Sequence, residues 1–562
     1  MTGKKNIALL VIAGIGATAF FSFAVRNYLR TVPEPPPALP PLSRQWLADP
    51  APRWAQTESG RTAEPAASDK PDARPAAEPH GSAISQDAIA DEHILAFADD
   101  SEQQEFLRLA ESFDVQVLDY SERGHTVRVR ARNKNDWRRL LEQSPAPRQI
   151  GRNYTVYTPG HLPPPSPPPG VSYRPFGNQA LSWLGAPEDN REWGKGVTVA
   201  VLDMDLREHP ALERNIVEHL RLDDMASGPG KAPGWHGTAV AALLAGNHDQ
   251  WRGVAPAAKL LNIPVLDEQG TGDMYTLAQA IMDAVDHGAD VVNLCLGSRS
   301  SSFVLEDAVA YARKHGVPLI AAAGNDGSDR VLYPARYEGT LAVAAVDAAQ
   351  QRLYFSNRGE EVDLAAPGLG LEAPAEDEAG ALFSGTSAAV PLVSGAAAWL
   401  LSEQPDLDSP ELYELLARHA ADTGRPGRNP EFGDGILDLR RLQERDKPGI
   451  HDIAVRPPYI VESADGGGTF TVLAIAQNQG TEKLPAVDLL IEIGDRREQV
   501  AFSNVAPGQT VQYPLEVPSA AEPLKEGMPL TVTASLRDLV DRHPDNNRMS
   551  TAIRLSEPKQ ER

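Results

Sequence analysis

From residue 197 onward, short runs of apolar residues alternate with longer segments that have the composition and spacing of helices. The short runs have the length of buried strands and lie at 197–202, 260–266, 291–296, 317–323 and 341–346. Helices are predicted at 238–245, 275–287, 303–315, 385–401 and 409–423. Continuous apolar strands separated by helices predict an α/β fold, in which a parallel sheet carries helices on both faces.

The preceding region, residues 93–157, has shorter elements in a different order. Strands are predicted at 93–97, 115–118, 126–129 and 154–157, and helices at 101–113 and 135–143. Ser101 and Gln104 have the spacing of a capping box, which predicts that Ser101 caps the first helix. The order strand-helix-strand-strand-helix-strand is typical of a small split βαβ domain.

Residues 451–555 have the alternating pattern of half-buried strands. Runs such as 470–475 and 488–493 are separated by turns rich in Gly, Asn and Pro. This pattern predicts a β-sandwich.

Proline-rich segments separate these regions and set the predicted domain boundaries. Residues 31–90 have few large apolar side chains and predict an extended tether, whereas the prolines at 163–169 predict a stiff spacer. The predicted organisation is an N-terminal signal peptide or anchor (1–30), a linker (31–90), an α+β domain (91–158), a spacer (159–178), an α/β domain (179–446) and a β-sandwich (450–556).

The run from Ile7 to Val25 carries no charge and is long enough to span a bilayer as a helix. Two interpretations remain open. Ser22-Phe-Ala24 has the small-residue pattern that ends a cleaved signal peptide. The length of the run favours the second interpretation, an uncleaved membrane anchor. Both predict a protein outside the cytoplasm, either anchored or secreted.

Composition excludes some classes of function. The 562-residue chain has a net charge of −24 without an offsetting basic block, which argues against nucleic-acid binding. Cys295 is the single cysteine, so no disulfide within the chain is possible.

Three motifs in the α/β region supply an aspartate, a histidine and a serine in that chain order. They are Val199-Ala-Val-Leu-Asp203, His236-Gly-Thr238 and Gly385-Thr-Ser-Ala-Ala-Val-Pro391. A serine hydroxyl is a weak nucleophile that needs an adjacent base, and a carboxylate orients that base. Asp203 ends a predicted strand, whereas His236 and Ser387 lie at predicted helix starts, where free N–H groups favour negative charge.

These motifs, with Ala321-Ala-Ala-Gly-Asn325, resemble the active-site motifs of subtilisin-like serine proteases, or subtilases. The resemblance extends from about Gln179 to about Leu442 and implies a serine endopeptidase that cleaves protein or peptide substrates through an acyl-enzyme. It implies that Ser387 is the nucleophile and His236 the general base and then acid. It further implies that Asp203 orients His236 and that Asn325 donates to the oxyanion.

The resemblance assigns further parts of the chain. The substrate-binding residues it implies are Cys295, Leu296, Gly297, Ala322, Ala323 and Gly324. The α+β domain resembles a subtilase propeptide, which inhibits its own enzyme, and maturation is expected to cut the chain between Thr155 and Gln179. Structural calcium is common in the family, but residues 246–251 lack a recognisable ligand pattern, so no metal or cofactor site is predicted.

In the predicted β-sandwich, Asn478-Gln-Gly480, Ala506-Pro-Gly508 and the segment 541–547 resemble landmarks of adhesion-type immunoglobulin-like modules of bacterial surface proteins. A role as a spacer or docking module and a purely stabilising role are both open.

Two positions depart from the family pattern. Met204 and Asp205 follow the aspartate where the family usually has Ser or Thr and then Gly. Asp205 either raises the pKa of the base or points to solvent, and we favour solvent. Cys295 stands where serine is usual. We interpret it as a buried small residue, although the resemblance allows sensitivity to thiol reagents.

Two alternative functions remain. Asp203-Met-Asp205 also fits the strand-Asp-x-Asp opening of haloacid-dehalogenase-like phosphatases, which use Mg²⁺, but that class explains neither His236 nor Ser387. The second alternative is a non-catalytic surface binding protein on a protease scaffold. The presence of all four chemical residues argues against it.

Overall fold

The computed structural model describes residues 87–159, 171–221, 235–375, 380–462, 469–518 and 527–553. The apolar run 7–25, the linker up to residue 86 and the prolines at 163–169 lie outside these ranges. Residues 88–90, which were predicted to belong to the linker, are instead part of the first strand. No helix in the described part of the chain is long and apolar enough to cross a membrane.

The N-terminal α+β region, residues 88–157, has the predicted order of elements. They are β1 (Ala88–Ala96), α1 (Asp100–Ala110), β2 (Gln116–Ser121), β3 (Thr126–Arg130), α2 (Lys134–Gln143) and β4 (Gln149–Tyr157). The strands form an antiparallel sheet in the order β2-β3-β1-β4. Phe106 of α1 and Leu140 of α2 are buried against it.

The predicted cap of α1 is wrong by two residues. Asp99 is the N-cap, and its side chain accepts a hydrogen bond from the Glu102 amide at 3.0 Å, while Glu102 accepts from the Ala98 amide. A carboxylate also interacts favourably with the positive end of the helix, which a Ser hydroxyl does not. Ser101 therefore lies in the first turn of α1.

The central region, residues 171–445, has the predicted α/β fold. Its strands are β5 (Thr198–Asp203), β6 (Val217–His219), β7 (Lys259–Pro264), β8 (Thr271–Asp273), β9 (Val291–Leu294), β10 (Leu319–Ala322), β11 (Thr340–Val346), β12 (Val362–Pro367), β13 (Leu371–Ala373) and β14 (Ala381–Phe383). Its helices are α3 (Ala180–Trp183), α4 (Trp235–Ala245), α5 (Met274–Asp286), α6 (Phe303–Lys314), α7 (Thr386–Glu403), α8 (Ser409–Arg418) and α9 (Leu439–Glu444).

Seven parallel strands form the main sheet in the order β12-β11-β10-β9-β5-β7-β6. Alternate residues of β5 belong to two cores on opposite faces of this sheet. Val199 and Val201 pack with α4 and α7, whereas Ala200 and Leu202 pack with α5 and α6. This two-sided burial explains why the strands read as continuous apolar runs.

α8 ends earlier than predicted, at Arg418 rather than Thr423. Ala421 instead exchanges two backbone hydrogen bonds with Ile436. Tertiary pairing therefore overrides the local helical pattern at this end.

The C-terminal region, residues 453–553, consists of seven described strands. They are β15 (Ile453–Glu462), β16 (Thr469–Asn478), β17 (Leu484–Ile493), β18 (Arg496–Val505), β19 (Thr510–Pro518), β20 (Met528–Leu536) and β21 (Arg548–Ile553). They form two antiparallel sheets, β15-β16-β19 and β18-β17-β20-β21, around one apolar core. This arrangement is the β-sandwich that the alternating pattern predicts.

Arg456 of β15 joins the C-terminal region to the central region. Its buried guanidinium donates to Asp422 O at 2.8 Å, to Thr423 Oγ1 at 2.9 Å and to Gln350 Oε1 at 2.7 Å. Burial lowers the pKa of Arg456 to about 10, so it stays protonated at neutral pH. A buried cation with three such hydrogen bonds fixes the two regions against each other.

β4 also crosses between regions, because it pairs antiparallel with β8 of the central region. This pairing carries the 155–159 segment across the carboxyl ends of the main-sheet strands. Ligand sites in open parallel sheets lie at this edge.

Candidate active site

Asp203 and His236 form a hydrogen-bonded pair at the carboxyl end of β5. Asp203 is the last residue of the strand and is fully buried, and His236 is the second residue of α4. His236 Nδ1 lies 2.8 Å from Asp203 Oδ1 and 3.0 Å from Oδ2, and the Met204 amide donates to Oδ1 at 2.7 Å. Such a carboxylate holds the proton on Nδ1 and leaves Nε2 able to accept one.

Ser387 is the second residue of α7, where helix N–H groups have no partner within the helix. Gly385, the residue before α7, has a φ of 131°, and a Cβ on it would lie 2.7 Å from Asn325 Nδ2. Ser387 is buried, and its Oγ has no hydrogen-bond partner in the described part of the chain. Bonds between nucleophile and base are often longer in unreacted sites and shorten in the reacting complex.

Asn325 follows β10 and is held in one orientation by Thr386. Asn325 Oδ1 accepts from both the Thr386 amide and the Thr386 hydroxyl, each at 3.0 Å. The amide nitrogen of Asn325 therefore faces the other way and donates to the carbonyl oxygen of Pro159 at 3.0 Å. The sequence offered no sign of this role of Thr386.

The 155–159 segment lies as a strand between two parts of the central region. On one side, Val156 and Tyr157 pair with β8, and the Thr158 amide donates to Gly270 O at 2.9 Å. On the other side, Tyr157 and Gly297 exchange two backbone hydrogen bonds of 2.9 Å. This is the pairing by which an extended peptide adds to free strand edges.

Of the substrate-binding residues implied by the resemblance, Gly297 contacts this segment. The whole set lies at the carboxyl ends of two adjacent strands, β9 and β10, and comprises Cys295, Leu296, Gly297, Ala322, Ala323 and Gly324. The Cys295 thiol is fully buried and lies 3.4 Å from the carbonyl oxygen of Ser387. Burial raises the pKa of Cys295 well above its ordinary value, which argues against reactivity towards thiol reagents.

Asp205 does not point to solvent, contrary to the interpretation we favoured. It is buried, and its carboxylate accepts from Arg221 and from Asn262, each at 2.6 Å. Arg221 lies sixteen residues further along the chain, so no local pattern indicates this ion pair. Arg221 offsets the charge of the carboxylate that the departure at 204–205 introduces, and Asn262 adds a hydrogen bond.

Phe383 is a second site residue that the sequence did not indicate. Its ring meets the ring of His236 edge to face at a centroid distance of 5.3 Å. It belongs to the short β13–β14 hairpin, whose three-residue strands lack a periodic pattern.

Within the described ranges, no group of three or more His, Cys, Asp or Glu side chains is placed to hold a metal ion.

Comparison with known proteins identifies the family. The Subtilase family model matches residues 194–435. A thermostable alkaline protease of Halalkalibacterium halodurans is 36% identical over 259 residues, which cover 45% of this chain and 69% of the relative. Subtilisin Savinase of Lederbergia lenta is 35% identical over 247 residues, which cover 44% of this chain and 90% of the relative.

Fervidolysin from Fervidobacterium pennivorans has a similar fold, with a TM-score of 0.54. The match covers 84% of this chain and 92% of that one at 19% identity, so the likeness concerns the fold alone. Taken with the sequence relatives, the subtilisin-like fold and the Asp203–His236 pair define a subtilisin-type hydrolase. This chain belongs to the subtilase family. The chain is a serine endopeptidase. Membership of this family favours the protease function over the two alternatives, a phosphatase and a non-catalytic binding protein.

Proposed function

We propose that Ser387, His236 and Asp203 are the catalytic triad of this endopeptidase and that Asn325 is an oxyanion donor. The observation that carries the proposal is the contact between Asn325 Nδ2 and the carbonyl oxygen of Pro159 at 3.0 Å. An amide that donates to this oxygen in the ground state is placed to donate to the oxyanion that forms from it. The 2.8 Å bond between Asp203 and His236 supports the role of His236 as the base.

The proposed reaction is acyl transfer. Ser387 Oγ attacks the carbonyl carbon while His236 Nε2 takes the hydroxyl proton, and Asn325 stabilises the negative charge on the carbonyl oxygen. His236 then gives the proton to the leaving amine as the C–N bond breaks. Water hydrolyses the ester by the same route in reverse, with His236 again the base.

We further propose that residues 91–158 form a propeptide and that the enzyme cuts its own chain after Pro159. The pairing of Tyr157 with Gly297 and of Thr158 with Gly270 supports this position, because it matches the binding of an extended substrate. The peptide bond after Pro159 lies within the segment where a maturation cut is expected.

The contacts of the N-terminal α+β region support its role as an inhibitor. Glu92 is buried and pairs with Arg128 at 3.0 Å and with Arg130 at 2.6 Å. Arg128 also lies 3.1 Å from Asp273, which ends β8 and caps α5. Asn153 of β4 donates to the same Asp273 at 3.0 Å. Release of the region would remove the two contacts that Asp273 makes with it and leave only the bonds by which Asp273 caps α5. We therefore expect the region to stay bound after the cut.

We also propose that the protein acts outside the cytoplasm, since a curated relative is named an extracellular protease. Anchoring by Ile7–Val25 remains a prediction about residues that the structure does not describe. For the C-terminal region we propose an immunoglobulin-like module with a stabilising role. The buried contacts of Arg456 support that role over a loose spacer.

A fluorophosphonate probe tests the catalytic assignment. The processed protein should be labelled, and Ser387→Ala should be unlabelled and retain its propeptide. Replacing a triad nucleophile costs on the order of a millionfold in turnover, a magnitude measured in a subtilisin. Ser394→Ala is a matched control, because Ser394 is buried on the same helix but bonds to Asn293. Labelling of Ser387→Ala, or none of the processed wild type, would refute the assignment.

A further inference from the structure

We propose that Leu332 fills the pocket for the side chain that precedes the cut bond, so that this enzyme cleaves after small residues such as alanine and proline. We call this pocket the primary pocket. The inference rests on the proposed function, because it treats the 155–159 segment as a bound substrate.

Two glycines define the walls of the primary pocket. Gly297 follows β9 and Gly324 follows β10, and these strands are neighbours in the main sheet. Tyr157 pairs with Gly297, and the carbonyl oxygen of Pro159 bonds to Asn325, the residue after Gly324. Residue 159 therefore lies over the gap between the two walls.

The segment 332–333 crosses this gap. The Leu332 amide donates to Ala323 O at 3.0 Å, beside one wall. Tyr333 exchanges hydrogen bonds of 2.8 and 2.9 Å with Ser298, beside the other wall. The backbone of Leu332 is thus tied to both sides and cannot easily withdraw.

The side chain of Leu332 touches both walls. A Cβ on Gly297 would lie 2.8 Å from Leu332 Cβ, and a Cβ on Gly324 would lie 2.8 Å from Leu332 Cγ. Leu332 is only 2% exposed with the 155–159 segment in place. A large substrate side chain would have to displace this leucine from a closely packed position, which is unfavourable.

Pro159, the residue of this chain that lies over the gap, is consistent with a shallow pocket. Pro159 is buried and has a small, rigid side chain. Proline also lacks the N–H that other residues offer at this position. Its placement therefore depends on its carbonyl contact with Asn325 and on the pairing of Tyr157 and Thr158.

Peptide substrates that differ only in the residue before the cut bond test the inference. We expect kcat/KM for alanine to exceed that for phenylalanine by on the order of tenfold to a hundredfold, and Leu332→Gly to reverse the order. Leu416→Ala is the control for general loss of stability, since Leu416 is a buried leucine of α8 outside the site. It should keep the wild-type preference.

Self-cleavage of the full chain gives an independent test that needs no added substrate. Pro159→Phe should block the cut in the wild-type background and should be cut again in the Leu332→Gly background. Pro159→Ala should be cut in both. The compensating pair separates a pocket effect from misfolding, because a misfolded Leu332→Gly variant would not restore cleavage.

The outcomes distinguish this inference from the proposed function. Equal or better cleavage after phenylalanine by the wild type would overturn the pocket inference and leave the catalytic assignment standing. The same holds if Leu332→Gly leaves the preference unchanged. Absence of both probe labelling and peptide cleavage in the processed wild type would overturn both proposals.

Discussion

Replacing Asn325 by alanine tests the oxyanion role most directly, because two functions of this side chain can be measured separately. Asn325 Nδ2 faces the carbonyl oxygen of Pro159 at 3.0 Å, and Oδ1 holds Thr386. The loss of an oxyanion donor lowers kcat by about 10²–10³-fold, or roughly 2.7–4 kcal/mol, as measured in a subtilisin. If a substrate binds as the 155–159 segment does, backbone pairing at Gly270 and Gly297 holds it, so we expect KM to change little.

The second effect of Asn325→Ala is on stability. The Thr386 amide is fully buried and would lose its acceptor, which costs about 1–3 kcal/mol. For a region of this size, each kcal/mol corresponds to a Tm shift of roughly 2–4 °C. The activity loss therefore has to be measured well below the lowered Tm.

The assay is self-cleavage of the refolded full chain, followed on a denaturing gel as a first-order process. Its rate should be independent of protein concentration if the cut is intramolecular. Asn429→Ala is the matched control, because Asn429 is a buried asparagine that bonds to Thr423 O and Arg425 O away from the site. It should lower the Tm and preserve the cleavage rate. A rate for Asn325→Ala within threefold of the wild type would refute the oxyanion role.

Three further predictions concern pH, docking and reactivity. Burial alone raises the pKa of Glu92, but hydrogen bonds from Asn153 and Arg128 outweigh it and hold that pKa below its ordinary value of 4.5. The stability that Glu92 gives to the N-terminal region is therefore present above pH 4.5 and lost as pH falls below it. Its partners Arg128 and Asn153 also contact Asp273 of the central region, so the cleaved propeptide should dissociate faster in acid on a sensor surface. Arg456→Met should lower the free energy of unfolding by about 2–4 kcal/mol, measured by denaturant titration, since three charged hydrogen bonds are lost. Iodoacetamide should modify Cys295 only after unfolding, and rapid modification of the folded enzyme, detected by mass spectrometry, would contradict its burial.

The sequence was sufficient for five of the seven strands of the main sheet, because burial on both faces makes these strands continuously apolar. The two edge strands, β6 and β12, were not predicted. β5, β7, β9, β10 and β11 overlap the predicted runs to within a few residues. It was not sufficient for β8 or for the β13–β14 hairpin. These strands have three residues each, and their conformation comes from partners distant in the chain.

In the candidate site, too, some residues could be predicted from local motifs and others could not. Asp203 and His236 come from local motifs, and the structure brings them into contact. The roles of Thr386, Arg221 and Leu332 depend on contacts across long stretches of sequence, so no local pattern signals them. Leu332 is an ordinary apolar residue in the sequence. Only its position between Gly297 and Gly324 in the fold indicates a role in specificity.

β4 links the folding of the N-terminal α+β region to the filling of the site. The strand pairs with β1 inside that region and with β8 in the central region. One extended backbone therefore belongs to the sheet of the N-terminal region and also leads into the site. If the bond after Pro159 is cut, none of these pairs is broken, and the new carboxylate remains beside the Asn325 amide. Cleavage and release are then separate events with separate determinants. We expect Ser387 and Asn325 to govern cleavage, whereas Glu92, Arg128 and Asp273 should govern release.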